Sequence, residues 1–495
     1  MKTKISIYLI GIIALLGCEK ELDTVNPNEI SQASFWSSPN DAELALAGVY
    51  DGIQDISIFG SRFREFDGYG GIGYYNWNGD ALTITEGGST PENNEYLLIW
   101  QGHYTVVNRA NTVIYNADNV EGLSETRSSQ IIAEARFLRA LAYLDLTYLY
   151  RDVPLILQDL KFSERFVSKN SQEDIKTAIL ADADFAAENL PDEWSGADQG
   201  RVDQWGALAL KARANLYFGN WAEAAEAALE IIESGKFGLY DDFSELFLEA
   251  GQGSEESVFA VRFETGLGEG ESFSGTYKRV TQGTLRVLPE YVNSFFCIDG
   301  LPIDQSPLYD PADSLNNRDP RLEATILHSG ELWINGNEVY NTNSITGFDI
   351  QKYQRNALGY YYDGPQDFMV FRYADVLLMR AEALIEMNQL TQEVYDLINE
   401  VRQRPSVNMP VIEDVEGTGL TQNQLREIVR QERLAEFGFE GLRFFDIKRW
   451  GIGQEVYESI KFHNRPYYSG KTEVWPIPQS EVDNNPNLEQ HPEWL

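Results

Sequence analysis

The chain has 495 residues, of which 43% are hydrophobic, 12% aromatic and 23% charged, which gives it material for a large core and excludes wholesale disorder. Lys and Arg number 39 against 77 Asp and Glu, a formal net charge of −38. Such an excess of carboxylates repels phosphate backbones, so nucleic acid is excluded as an expected partner and polyanionic substrates are disfavoured.

Lys2 and Lys4 precede a nearly unbroken apolar run over residues 5–16. That run is shorter than the roughly 20 residues a membrane-spanning helix needs and fits the core of a secretory signal. It stops at Leu15-Leu16-Gly17-Cys18, which resembles a bacterial lipobox, whose cysteine becomes the acylated first residue of the mature protein. Residues 1–17 are therefore expected to be a lipoprotein signal peptide, Cys18 the lipidation site, and residues 18–30 a lipidated tether. Loss of Lys2 and Lys4 with the signal takes the net charge to −40. Glu19, Glu21 and Asp23 place acid directly behind the cysteine, similar to the export tag of surface lipoproteins in Bacteroidota-type bacteria. Cys297 is the only other cysteine, so no internal disulfide is expected.

The body reads as helices. Ser38-Pro39-Asn40-Asp41 is a helix start, with Ser at the N-cap, Pro at the first helical position and an acid in the first turn. Ala42, Leu46, Val49 and Ile53 then form an amphipathic stripe. Further helices are predicted over about 95–117 and 129–150, the latter with Ile131, Ala135, Leu138, Ala142, Leu146 and Leu149 on one face. A helix pair near 205–233 carries small residues at the crossing and a Gly219-Asn220 turn, resembling a tetratricopeptide repeat, with Ile231 where that pattern prefers alanine. A similar pair lies near 371–404, too far along the chain for a tandem array. Loop-rich stretches over roughly 60–94 and 264–366 interrupt the helices, and loops of that length are usually functional.

Chemistry-bearing motifs are few. Gly68-Tyr69-Gly70-Gly71-Ile72-Gly73 matches G-x-G-x-x-G, but a dinucleotide site needs a strand before it and a helix after it, and the flanks read otherwise. His103, His328, His463 and His491 show no metal-ligand spacing, and no nucleophile elbow is present, so neither metal nor cofactor is expected. Tyr74-Tyr75-Asn76-Trp77-Asn78-Gly79-Asp80 is different. A sugar ring has an apolar C–H face and a rim of hydroxyls, so binding it calls for a flat aromatic and nearby amides or carboxylates without acid–base chemistry. This run supplies both; its plainer reading is a hairpin whose aromatics cover the helices beneath. Trp100, among Leu97 and Tyr104 on a helix, reads as core.

Several blocks together resemble the SusD/RagB family of surface glycan-binding lipoproteins. The lipobox and acidic tail come first. Residues 371–383 (FRYADVLLMRAEA), 398–404 (INEVRQR), 428–437 (IVRQERLAEF) and 440–450 (EGLRFFDIKRW) follow in the family's order, as do 475–478 (WPIP) and 485–488 (NPNL). Pro405 departs from the usual alanine. The resemblance implies a mainly α fold, SusD-like, with tetratricopeptide-repeat-like helix pairs and long loop and small β-hairpin insertions, and residues 31–495 as a single domain. That replaces the three or so domains that length alone suggests at roughly 100–200 residues each. Glu432, Glu436 and Glu440 beside Arg433, Arg443 and Arg449 are expected to form an interhelical salt-bridge lock, with Trp450 packed beside it.

The resemblance also implies a non-catalytic protein that captures oligosaccharide or polysaccharide and delivers it to a SusC-like TonB-dependent transporter, held on the outer membrane through Cys18. The ligand face carries the early loop and the central insertion. Candidate glycan contacts are therefore Trp77 with Tyr75, Tyr74, Asn78 and Asp80, and then Tyr277, Trp333 and Tyr360. Acidity tilts the expected glycan towards a neutral one. Two other readings stay open: a surface glycoside hydrolase, and a repeat-type scaffold that binds peptide or protein.

Overall fold

The computed structural model describes residues 35–495 except 77–78, 267, 269, 275–284, 334–337 and 355–362; Phe162, Trp333 and Glu338 are described by backbone alone. The expected signal, Cys18 and tether lie outside the described residues, as do Trp77, Asn78, Tyr277 and Tyr360.

Helix α1 (Pro39–Gln54) starts where its sequence signature predicts, with Ser38 extended at the N-cap. The Ser38 hydroxyl makes no backbone cap; it donates to the Asp41 carboxylate at 2.7 Å. Ala42, Leu46, Val49 and Ile53 are buried against α2 (Asn94–Asn116). Helix α3 (Glu125–Tyr150) begins earlier than the apolar pattern indicates, because Ser124 accepts a bond from the Arg127 amide and extends the helix by a polar turn. Helix α4 (Gln172–Asn189) was not anticipated. Its stripe is thin, and the bidentate pairing of Asp182 with Arg139 of α3, both bonds at 2.8 Å, pins it in place.

The two repeat-like pairs form as expected: α5 (Gln204–Tyr217) with α6 (Trp221–Glu233), and α7 (Tyr373–Glu386) with α8 (Gln392–Arg402). Gly219 takes a positive φ of 75° at the first turn, a conformation that favours glycine. The pairs are distant in sequence yet adjacent in space, because α6 packs directly on α7. Consecutive helices from α1 to α8 thus stack each on the next, and α9 (Gln422–Glu436) closes against α7. The short helix α10 (Arg443–Arg449) follows.

The early segment contributes strand β1 (Gly73–Tyr75). The insertion between α6 and α7 carries β2 (Ser257–Val261), β3 (Leu285–Val287), β4 (Ile326–His328), β5 (Leu332–Trp333), β6 (Glu338–Val339) and β7 (Phe348–Ile350), and it ends in β8 (Phe368–Arg372). These pair antiparallel as β1–β3, β2–β8, β4–β7 and β5–β6 among the described residues.

A buried ion-pair lock is present, but its partners differ from those expected. Glu436 accepts from Arg321, Arg372 and Arg404; Glu440 from Arg372 and Lys352; Glu432 from Arg321 and Arg402. With Glu256 and Asp319 the cluster balances Arg321, Lys352, Arg372, Arg402 and Arg404 against an equal number of carboxylates. Arg433 and Arg449 pair instead with Asp375, Asp446 and Glu382, and the Trp450 indole donates to Glu382 at 2.7 Å. The Arg443 guanidinium takes no part in either set; its Nε has no partner among the described residues. The reason is spatial: Glu432 and Glu436, i and i+4 on α9, share one face and turn to Arg321 and Arg372, whereas Arg433 of α9 and Arg449 of α10 meet Asp446 and the carboxylates of α7.

Candidate functional site

The glycine-rich turn explains itself by close approach. A short helix, Glu65–Tyr69, precedes it and β1 follows, the reverse of a dinucleotide-binding arrangement. A Cβ on Gly68 would lie 2.1 Å from the Tyr75 hydroxyl, and one on Gly73 would lie 2.5 Å from Leu285 of β3. Buried Arg465 clasps the turn by donating to the Gly68 carbonyl at 2.7 Å and to the Gly73 carbonyl. The glycines serve packing, not phosphate.

Beyond this turn three aromatic-bearing segments have neighbouring anchors. Tyr75, two residues before Trp77, pairs with Leu285, which follows the 275–284 segment carrying Tyr277. At the other end of that segment, Glu271 and Gly364 exchange two backbone bonds of 2.9 Å, and Gly364 follows the 355–362 segment carrying Tyr360. The Glu271 carboxylate also accepts from the Phe273 and Ser274 amides, the latter at 2.7 Å, which fixes the turn leading into residue 275. The Tyr277 segment is therefore bracketed by the flanks of the other two.

A fourth aromatic is tied in through Asp349 of β7. Its buried carboxylate accepts from Arg286 of β3, Tyr340 and Thr342, joining the β1–β3 ladder to the β4–β7 pair. The β5–β6 hairpin rises directly after β4, with Leu332 and Val339 exposed, and bears Trp333 opposite Glu338.

The described candidates separate. Tyr75 is fully buried, its hydroxyl donated to the Glu65 carbonyl, so it is a packing residue and not a surface contact. Tyr74 is half-buried and meets Phe462 and His463 edge-on at 5.6 and 5.0 Å. Asp80 is exposed in the short helix Gly79–Thr85. Trp100 is core, tilted against Tyr104 and edge-on to Tyr150.

Sequence reading missed the loop over 461–474, which packs on the early segment. His463 bonds Glu86 at 2.9 Å, and the exposed Tyr468 lies against Gly87. Its run of Asn464, Tyr467, Tyr468 and Gly470 has the same aromatic–amide–glycine composition as the early loop, and that was the available signal.

Electrostatically the floor beneath β1 is acidic. Desolvation, then the Glu95 carboxylate, push the Glu65 carboxyl up to about 7. Because Glu65 is enclosed under β1, this shift belongs to packing and not to an exposed acid–base pair. Among the described residues no cluster of three His, Cys, Asp or Glu could hold a metal ion, and no helix is long and apolar enough to cross a membrane.

A stacked-helix body presenting small sheets and aromatic loops defines a SusD-like fold. The profile of the SusD family matches residues 255–494, and that of a SusD-like family described as starch-binding, associating with outer membrane, matches residues 72–216. The chain belongs to the SusD family, whose proteins bind carbohydrate without catalysis. It is 27% identical to the SusD-like protein P38 of Formosa agariphila over 98% of this chain and 97% of that one. It is 25% identical to the starch-binding protein SusD of Bacteroides thetaiotaomicron, over 76% and 74% of the two chains. The crystal structure of a SusD-like carbohydrate-binding protein from Bacteroides fragilis superposes with a TM-score of 0.81 at 28% identity, covering 92% of this chain and all of that one.

Proposed function

We propose that this chain is a non-catalytic, cell-surface capture protein for oligosaccharide or polysaccharide, anchored in the outer membrane through Cys18, that hands its ligand to a SusC-like TonB-dependent transporter. Residues 31–495 act as one domain, a reading supported by a continuous hydrophobic cluster running from Ala42 to Leu488. The observation that carries the glycan reading is the mutual anchoring of the segments that bear Trp77, Tyr277 and Tyr360, through Tyr75–Leu285 and Glu271–Gly364. Trp333, on the hairpin joined through Asp349, is the fourth aromatic proposed to contact the glycan, with Tyr74, Asn78 and Asp80 beside Trp77.

Each aromatic covering ~70 Å² of sugar face contributes about 1.7 kcal/mol at roughly 25 cal/mol/Å². Three such contacts sum to about 5 kcal/mol, equivalent to a Kd no tighter than about 0.2 mM before the cost of association, so useful capture calls for a polymer engaged at several sugars. Calorimetry over starch, β-glucan, fructan and alginate tests the reading. Heat from a neutral polymer without release of reducing ends supports capture. Release of reducing ends would establish a hydrolase, and binding of protein but of no glycan would establish a scaffold. Co-purification of the lipidated chain with an outer-membrane TonB-dependent transporter checks the partner.

A further inference from the structure

In a chain with 77 acidic residues, one arginine is left without a partner. The Arg443 guanidinium makes neither a hydrogen bond nor an ion pair, and it is alone in this among the described arginines. Its Nε is sealed from solvent, whereas its terminal nitrogens are open to it, and the residue as a whole is half-buried. The stem is held in place: a Cβ on Gly70 would lie 2.8 Å from the Arg443 Cγ. The head stands 5.7 Å from the centre of the Trp450 ring, and that indole is itself fixed by its bond to Glu382.

The carboxylates around Arg443 are engaged elsewhere. Asp446 accepts from Arg433 at 2.9 and 3.2 Å and from Arg449 at 3.0 and 2.8 Å. Asp67 accepts from the backbone amides of Gly441 and Arg443 at 2.6 and 3.1 Å. Arg430, 5.1 Å from the same indole, brings a second cation: one terminal nitrogen donates to the exposed Glu427 at 2.9 Å, and its Nε is sealed without a partner. Arg430 and Glu427 offset each other, so the spot keeps one net positive charge. Desolvation pushes the Arg443 pKa down to about 10, and Arg430 pushes the same way against the pull of Asp446 and Asp67, so the group stays charged at neutral pH. A partly desolvated cation is costly unless an anion meets it, and the planar fork of a guanidinium matches the two oxygens of a carboxylate.

We propose that Arg443, with Arg430 beside it, is the seat of one ligand carboxylate, that of a uronic acid or a simple organic acid, bound through the two terminal nitrogens of Arg443. A singly charged, planar group fits both the fork and the net charge of the spot. None of the residues that form the seat belongs to the aromatic segments, so it is independent of the glycan reading. On a surface that otherwise repels anions, it is a single point of attraction for an acidic group.

The test titrates the full-length chain in detergent with sodium acetate and sodium glucuronate up to about 100 mM, because one fork holds a lone carboxylate only at millimolar strength. Tm is read against sodium chloride at matched ionic strength, with glucose as the neutral control. Both carboxylates should raise Tm saturably above chloride, and glucose should not. Arg443→Gln should weaken that response about tenfold while leaving Tm in chloride the same or higher, since no internal bond is lost. Arg430→Gln should weaken it less. Phenylglyoxal labelling of the parent protein reads the seat without a variant: acetate should slow modification of Arg443. Tighter binding of glucuronate than of acetate assigns the carboxylate to an acidic sugar, and equal binding assigns it to a simple acid; the seat stands in both cases. No saturable response beyond chloride, an undiminished response in Arg443→Gln, or no protection of Arg443 by acetate overturns the proposal.

Discussion

Tyr74 and Tyr75 stand side by side on a strand, and the alternation of strand side chains sends them to opposite faces. One meets the 461–474 loop; the other is sealed over Glu65. Composition had marked both as ligand contacts, and only the pairing of β1 tells them apart. Glu65 itself yields a pH prediction. Its folded-state pKa of about 7 lies above the ordinary 4.5, so between those values the unfolded chain releases a proton that the folded chain retains. Stability should therefore fall as pH rises through that window and level off above it, by up to about 3 kcal/mol from this group. Glu65→Gln should remove that loss, making the variant more stable than the parent at pH 8 and nearly equal at pH 4 in denaturant melts. Equal pH dependence in both proteins would contradict this placement of the carboxyl.

At the scale of elements, the lock around Glu436 and the β1–β3 ladder are the two devices that hold the insertion. Burial raises the Glu436 pKa, but Arg372, Arg404 and Arg321 outweigh it and hold the carboxyl well below its ordinary range. Its contribution is therefore complete at neutral pH and is lost as pH falls below about 4.5 towards the folded value. Glu436→Ala should destabilise the fold by about 3–5 kcal/mol, since it strands buried arginines, and denaturant unfolding measures it. A loss under 1 kcal/mol would mean that the arginines find other partners. Gly73→Val probes the ladder: the added side chain collides with Leu285, so glycan affinity should drop with a smaller loss of stability. Sequence showed α1, α2, α3 and both repeat-like pairs, because each carries its own apolar stripe. It hid α4, whose short stripe of Ile175, Ile179, Ala183 and Ala186 is broken by the buried Asp182 that pairs with Arg139 of α3, and it misassigned the lock, because the true partners of the glutamates are distant in sequence.

Across the whole molecule, the pattern legible in sequence was local periodicity, ordered family motifs and aromatic-rich loops. What escaped was every pairing between distant segments: Tyr75 with Leu285, Glu271 with Gly364, and α6 with α7. The first two of those pairings join the flanks of the aromatic segments, so the composition of the proposed site was legible in sequence while the joining of its flanks was not. The net charge of −38 bears on solubility and on the exclusion of nucleic acid, whereas the aromatic loops bear on the ligand. The most direct measurement is a native gel cast with neutral polysaccharide, run with the parent protein and Trp77→Ala. The account predicts that at least one neutral glycan retards the parent, and that the variant migrates freely with an unchanged Tm. Equal retardation of both proteins, or no retardation of the parent by any glycan, would contradict it.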